Sequence, residues 1–222
     1  RMTVSIPLSI YAIILTILIS FPAGIIAATY HRNLADYGIM GLSQFGISVP
    51  NFWFAMILVL IFSINLGWFP AGGFSGWHTG LLNGIVSLTL PAVALALPQA
   101  AILTRIIRAS LIEILKADFI RTARAKGLTY SQTILRHGLK NAIIPVLTIL
   151  GLQFSFLLAG AIIIENVFYL PGLGRLIFQG IVQRDLIVVE SVVILLVFAV
   201  ILINFIIDIT YLIIDPRLRK IK

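Results

Sequence analysis

The chain has 222 residues, of which 60% are hydrophobic and 11% charged. An ordinary soluble domain carries about 25% charged residues, so this composition excludes a soluble globular protein, and its apolar richness excludes a disordered chain. The lack of cysteine excludes disulfide and thiolate–metal frameworks, and the formal net charge of +8 has first to be placed relative to a membrane.

A helix that crosses the hydrocarbon core takes about 20 mostly apolar residues. The sequence predicts five such spans: residues 8–29, 42–65, 86–107, 142–164 and 188–213. No charged residue lies between Arg1 and His31, between Asp36 and Arg105, or between Lys140 and Glu165. These runs lack the dyad alternation of barrel strands, so the expected class is an all-α membrane protein, a polytopic helical bundle. The first run is too long for a signal peptide and lacks its basic start. Because the chain opens at Arg1, a preceding N-terminal piece is expected to be missing.

Charge sets the orientation. Arg32, then Arg105, Arg108, Lys116, Arg121, Arg124, Lys126, Arg136 and Lys140, then Arg217, Arg219, Lys220 and Lys222 fall on one side of the five spans. That is 13 of the 16 basic residues, against Arg1, Arg175 and Arg184 on the other side. The positive-inside rule makes the first side cytoplasmic, with the C-terminal tail. The outer loops carry Gly67-Trp68-Phe69-Pro70 and Trp77, suited to the headgroup level, and the turn Pro171-Gly172-Leu173-Gly174.

Enzymatic motifs are missing. There is no phosphate-cradling G-x-x-x-x-G-K-[ST], no H-E-x-x-H, and His31, His78 and His137 lie far apart. Gly41-Leu-Ser-Gln-Phe-Gly46 places its second glycine one residue late for a serine elbow. No cofactor is expected in this chain.

The informative stretch is cytoplasmic, residues 108–140. Leu111, Ile112, Leu115, Phe119, Ile120 and Ala123 form a helical stripe, opposite Glu113, Lys116, Arg121, Arg124 and Lys126. The spacing predicts one amphipathic helix, closed by Gly127 and followed by a second helix capped at Thr129 or Ser131. Such a hairpin serves equally as a surface for anionic lipid or as a dock for a cytoplasmic protein; Glu113 and Asp118, which interrupt the basic face, favour the dock.

The run Asp118-Phe-Ile-Arg-Thr-Ala-Arg-Ala-Lys-Gly-Leu128, followed by Arg136-His-Gly-Leu-Lys-Asn-Ala142 and Pro145, resembles the cytoplasmic loop of ABC-importer permeases. It is similar in particular to the dipeptide, oligopeptide, glutathione and nickel branch. Ser48-Val-Pro-Asn-Phe-Trp53, Leu66-Gly-Trp-Phe-Pro70, Gly151-Leu-Gln-Phe154, Glu165-Asn-Val-Phe168, Pro171-Gly-Leu-Gly-Arg175 and Asp215-Pro-Arg217 extend the resemblance over nearly the whole chain. The general importer motif has Glu where Arg121 stands, Ala where Thr122 stands and Pro where Lys140 stands; Ala123, Gly127 and Leu139 fit it.

The resemblance implies the type I importer permease fold, one transmembrane permease domain over residues 1–222, and a bacterial inner membrane. Members have six spans, so the first of them is expected to be absent here. It implies as partners two cytoplasmic ABC ATPase subunits that bind ATP and Mg, a second, similar permease and an extracytoplasmic substrate-binding protein. Membrane lipid is a further contact, and nucleic acid is not a partner. The coupling residues it implies are Asp118, Arg121, Ala123, Arg124, Lys126 and Gly127, with Ala123 and Gly127 small for close approach to the ATPase.

Ionisable and polar residues within spans mark the candidate translocation path or gate: Gln153, Glu165, Glu190 and Asp208. Each has an alternative role. Gln153 suits interhelical hydrogen bonding, and Glu165 suits an outer gate or a dock for the binding protein. Glu190 suits the outer interface, and Asp208 a basic partner at the inner one. Pro91 and Pro98 predict a kink or break in the span 86–107. The competing readings are a secondary transporter or channel, against which the lack of an internal repeat counts, and an intramembrane hydrolase, which needs histidines or paired acids at membrane depth.

Overall fold

The computed structural model describes residues 1–214 of the chain. The Asp215-Pro-Arg217 match and the basic tail with Arg217, Arg219, Lys220 and Lys222 lie outside the described residues. The regular elements among residues 1–214 are helices, in the order α1 (Met2–Thr29), α2 (Leu34–Ser48), α3 (Asn51–Leu58), α4 (Leu81–Leu115), α5 (Asp118–Ala125), α6 (Tyr130–Thr133), α7 (Leu139–Val167), α8 (Leu173–Gln183) and α9 (Leu186–Ile214). Wider π turns extend α3 through Val59–Asn65 and fuse α6 to α7 through Ile134–Gly138.

Four helices, α1, α4, α7 and α9, are long and apolar enough to cross a membrane. The run 42–65 differs from the straight span that hydropathy predicts. It belongs to a pair, Leu34–Ser48 and Asn51–Asn65, bent by 103°. The bend falls at Val49–Pro50, because Pro50 forces its predecessor out of the helical region, and Val49 sits at φ −86, ψ 125. The break anticipated at Pro91 and Pro98 does not occur. Helix α4 runs unbroken through both, and packing on several sides supports it there.

Helix α4 is the axis of the bundle: 67% of its most apolar stretch is buried, against 6% for α9. Close approach to its neighbours depends on small residues, as expected where lipid supplies no hydrophobic force between helices. Ala12 of α1 meets Ala92, Ala94 and Ala96 of α4 in one buried cluster with Leu8, Leu88 and Leu95. A Cβ built on Gly24 of α1 would lie 2.7 Å from Ile107, and one on Gly46 of α2 would lie 3.2 Å from Ala101. Further in, Leu103 and Ile107 pack with Val146 and Leu150 of α7. At the inner end Leu111 packs with Ala28, Ile134 and Ala142.

Gly24→Val pushes α1 off α4 and is expected to destabilise the chain by about 1–3 kcal/mol. The check is thermal unfolding in detergent, where the variant should melt below the wild type.

Candidate functional site

The segment expected to be cytoplasmic is two helices where the sequence pattern predicts one. Helix α4 ends at Leu115 and α5 starts at Asp118, with Ala117 extended between them. No local breaker stands at Lys116–Ala117. The break comes from burial: Leu111 packs into the inner cluster at the end of α4, while Ile120 and Ala123 turn back onto the chain, at 3% and 6% exposure. Ala123 therefore packs mainly against its own chain. Arg121, Arg124, Lys126 and half of Phe119 form the outward edge.

Gly127 closes α5 as the pattern predicts, but its smallness serves the backbone. At φ +91 it lets Leu128 donate back to the Ala123 carbonyl and its own N–H to Arg124, the Schellman closure of a helix. Nothing lies within 4 Å of a Cβ placed there. Asp118 sits in the first turn of α5, where a carboxylate suits the helix dipole. Its pairing with Arg121 at 3.6 Å is solvent-exposed on both sides and contributes little. Arg124 lies over the Tyr130 ring. Thr129, not Ser131, caps α6, in a reciprocal box with Gln132.

The path candidates do not converge. Glu165 is fully buried near the C-terminal end of α7. Ser5 of α1 donates to its Oε1, and the Arg175 N–H donates to Oε2 at 3.1 Å. The Ser5 Oγ in turn accepts from the Leu173 N–H at 2.8 Å. Two side chains from other helices thus satisfy the otherwise unpaired amides at the start of α8. Gly172 is required there, because a Cβ would collide with the Glu165 carboxyl. The same corner binds the 66–80 loop: Gly73 donates to the Phe168 carbonyl and Trp77 Nε1 to the Thr3 carbonyl, both at 2.7 Å. Arg175 stacks on Tyr169 and donates to its carbonyl.

Gln153 is buried in the seam between α7 and α4, where its Nε2 donates to the Gln99 carbonyl at 2.9 Å. The side-chain oxygens of both glutamines lack a partner among the described residues. Glu190 and Asp208 are exposed on α9, 18 positions and so about 27 Å apart along it. The basic partner anticipated for Asp208 is absent among the described residues.

The strongest polar contact was not singled out from sequence. Asp36, 1% exposed at the start of α2, receives the guanidinium of Arg108 on both oxygens, Nε to Oδ1 and Nη2 to Oδ2. His31 lies 3.1 Å from Oδ2, and the Arg32 N–H donates to it at 2.9 Å. This clamp joins the α1–α2 turn to α4 about two turns before α4 ends at Leu115. The one available signal is a lone acid beside Arg32 in a short segment between two long apolar runs.

Asp36→Asn leaves a half-buried guanidinium without its counter-charge and is expected to cost on the order of 2 kcal/mol. Replacing both partners, Asp36→Asn with Arg108→Met, should recover much of that loss, read as the melting temperature of the purified protein. Glu165→Gln should free α8, because the new amide group meets backbone N–H donors. Faster proteolysis within residues 173–184 is the expected readout.

Residues 20–220 match the family described as binding-protein-dependent transport system inner membrane component. A putative peptide transport system permease protein of Brucella abortus is 42% identical over 99% of this chain and 70% of its own length. The oligopeptide transport system permease protein AppB of Bacillus subtilis is 40% identical over 96% of this chain and 68% of its own. The glutathione transport system permease protein GsiC of Shigella boydii is 41% identical over 96% and 67%. Among solved structures, an inward-facing MetNI methionine ABC transporter superposes with a TM-score of 0.80 at 19% identity, over 96% of this chain and 94% of that one, a likeness of fold. The helices around α4, the short α5 beyond it and these matches agree: the chain belongs to the family of binding-protein-dependent transport system inner membrane components, the permeases of ABC importers.

Proposed function

We propose that this chain is the permease subunit of an ATP-driven importer of peptides, glutathione-sized to oligopeptide. It forms half of a translocation path with a second, similar permease. Two cytoplasmic ATPase subunits bind ATP and Mg, and an external binding protein delivers the cargo. The relatives' names support the peptide class. The excess of basic residues in the segments joined to α5 supports a cytoplasmic α5 and C-terminus.

The observation that carries the reading is α5 itself. It is an eight-residue helix with an apolar inner face and a cationic outer edge, set two residues beyond the bundle's central helix. Helix α4 has 35 residues, so it is about 52 Å long, and exceeds a hydrocarbon core of about 30 Å. A displacement of α5 by a closing ATPase pair therefore passes along one continuous rod into the membrane. This is rigid-body coupling.

Gly127→Asp strains the closure of α5 at positive φ and adds an acid beside the cationic edge. The expected outcome, in the reconstituted complex, is ATP hydrolysis that no longer responds to the loaded binding protein. Arg121→Glu, whose backbone is ordinary, should act in the same direction. Full stimulation in both variants, with peptide uptake intact, would falsify the coupling role of α5.

A further inference from the structure

Helices α2 and α4 part on one flank to leave a cleft of about 670 Å3. Met40, Gly41 and Gln44 line it from α2, and Arg105, Ile106, Arg108 and Ala109 from α4. The two arginines are in different electrostatic situations. Arg108 is matched by Asp36, and that carboxylate is saturated by Arg108, His31 and the Arg32 amide. Arg105 is exposed, and its one hydrogen bond among the described residues is from Nη1 to the Gln44 Oε1 at 2.7 Å. No carboxylate among the described residues is within ion-pair distance of it. Gln44 therefore fixes a guanidinium across the cleft without neutralising it.

Depth says what meets that charge. Helix α4 starts at Leu81, beside the interfacial Trp77. Arg105 is 24 residues further on, about 36 Å along the helix, just past a hydrocarbon core of about 30 Å. With Leu81 at the outer boundary and α4 along the membrane normal, that distance reaches the level of the inner-leaflet phosphates. The remaining lining, Met40, Ile106 and Ala109, is apolar, as suits the glycerol and first methylenes of a lipid. A planar guanidinium fork is the natural ligand of a phosphate, and basic clefts between spans on the cytoplasmic side recognise anionic headgroups.

We propose that the α2–α4 cleft is a binding site for the phosphate of an anionic phospholipid of the inner leaflet, with Arg105 as the phosphate ligand and Gln44 as the residue that orients it. The site bridges the two helices that the Asp36–Arg108 clamp joins, so a bound lipid reinforces α2 against α4 just above α5.

The test uses the chain with its partner subunits, in nanodiscs of phosphatidylcholine with a minority of phosphatidylglycerol. Native mass spectrometry then counts the lipids that stay bound. The wild type should retain phosphatidylglycerol over phosphatidylcholine, and Arg105→Gln should lower that retention about fivefold. Arg105→Lys, which keeps the charge and loses the fork, should fall between them. Gln44→Leu should reduce retention with Arg105 intact, so the test survives if Arg105→Gln folds poorly. Equal retention in the wild type, Arg105→Gln and Gln44→Leu would overturn the proposal and leave an unspecific lipid annulus. Displacement of the bound lipid by millimolar inorganic phosphate, or by a peptide with a free carboxylate, would overturn it too, by assigning the cleft to a soluble anion.

Discussion

The close contact between α1 and α4 is the constraint from which the remaining geometry follows. Water drives apolar faces together in a soluble protein, but lipid is as apolar as leucine and supplies no such force. Adhesion then depends on dispersion at short range, which requires backbones to approach. Ala12, Ala92, Ala94, Ala96 and Gly24 permit that approach, and Ile107 occupies the space that Gly24 leaves open. With α1 so placed, α2 and α7 take the other flanks of α4, and two prolines inside α4 leave it unbroken.

Two polar nodes secure the ends of this apolar core. At the outer end, Ser5 and Glu165 bind the start of α8 to α1 and α7. At the inner end, Asp36 and Arg108 bind α2 to α4. Both follow one rule: a buried polar or ionisable group in a low-dielectric setting is tolerable only when nearly all its hydrogen-bonding capacity is used. Each node is accordingly well furnished. Glu165 takes a hydroxyl and a backbone amide, and Asp36 takes a guanidinium fork, a backbone amide and an imidazole. The seam at Gln99 and Gln153 is different. Its two amide oxygens lack donors among the described residues, which makes it the least satisfied polar contact in the interior.

This arrangement suits the rigid-body coupling proposed above. The inner clamp sits on α4 a short distance from α5, and the outer node fixes the opposite end of α7. The bundle is therefore tied by a polar node near each end of its long helices. The apolar face of α9, by contrast, is left open, with Ile187, Ile194 and Phe198 all well exposed in the isolated chain.

Much of this was legible in the residues. Hydropathy located the long apolar helices, the distribution of Lys and Arg implied an orientation, and the run Asp118–Leu128 carried the family. Gly127 and Thr129 were readable as the end of one helix and the start of another, because capping is a local matter of a few backbone groups. What the sequence left open is what depends on residues far apart. Asp36 and Arg108 are 72 positions apart, and Ser5 and Glu165 are 160 apart. No periodicity connects such pairs. The stripe from Leu111 to Ala123 looked like one helix because spacing cannot say which apolar residues bury against which neighbour, and that burial divided it at Lys116–Ala117. Composition and spacing determined the class and the apolar segments, and the resemblance of the run Asp118–Leu128 to known permeases pointed to the family. Tertiary structure alone decided which polar groups meet, because in a membrane the partner of each buried charge is chosen by how the helices pack.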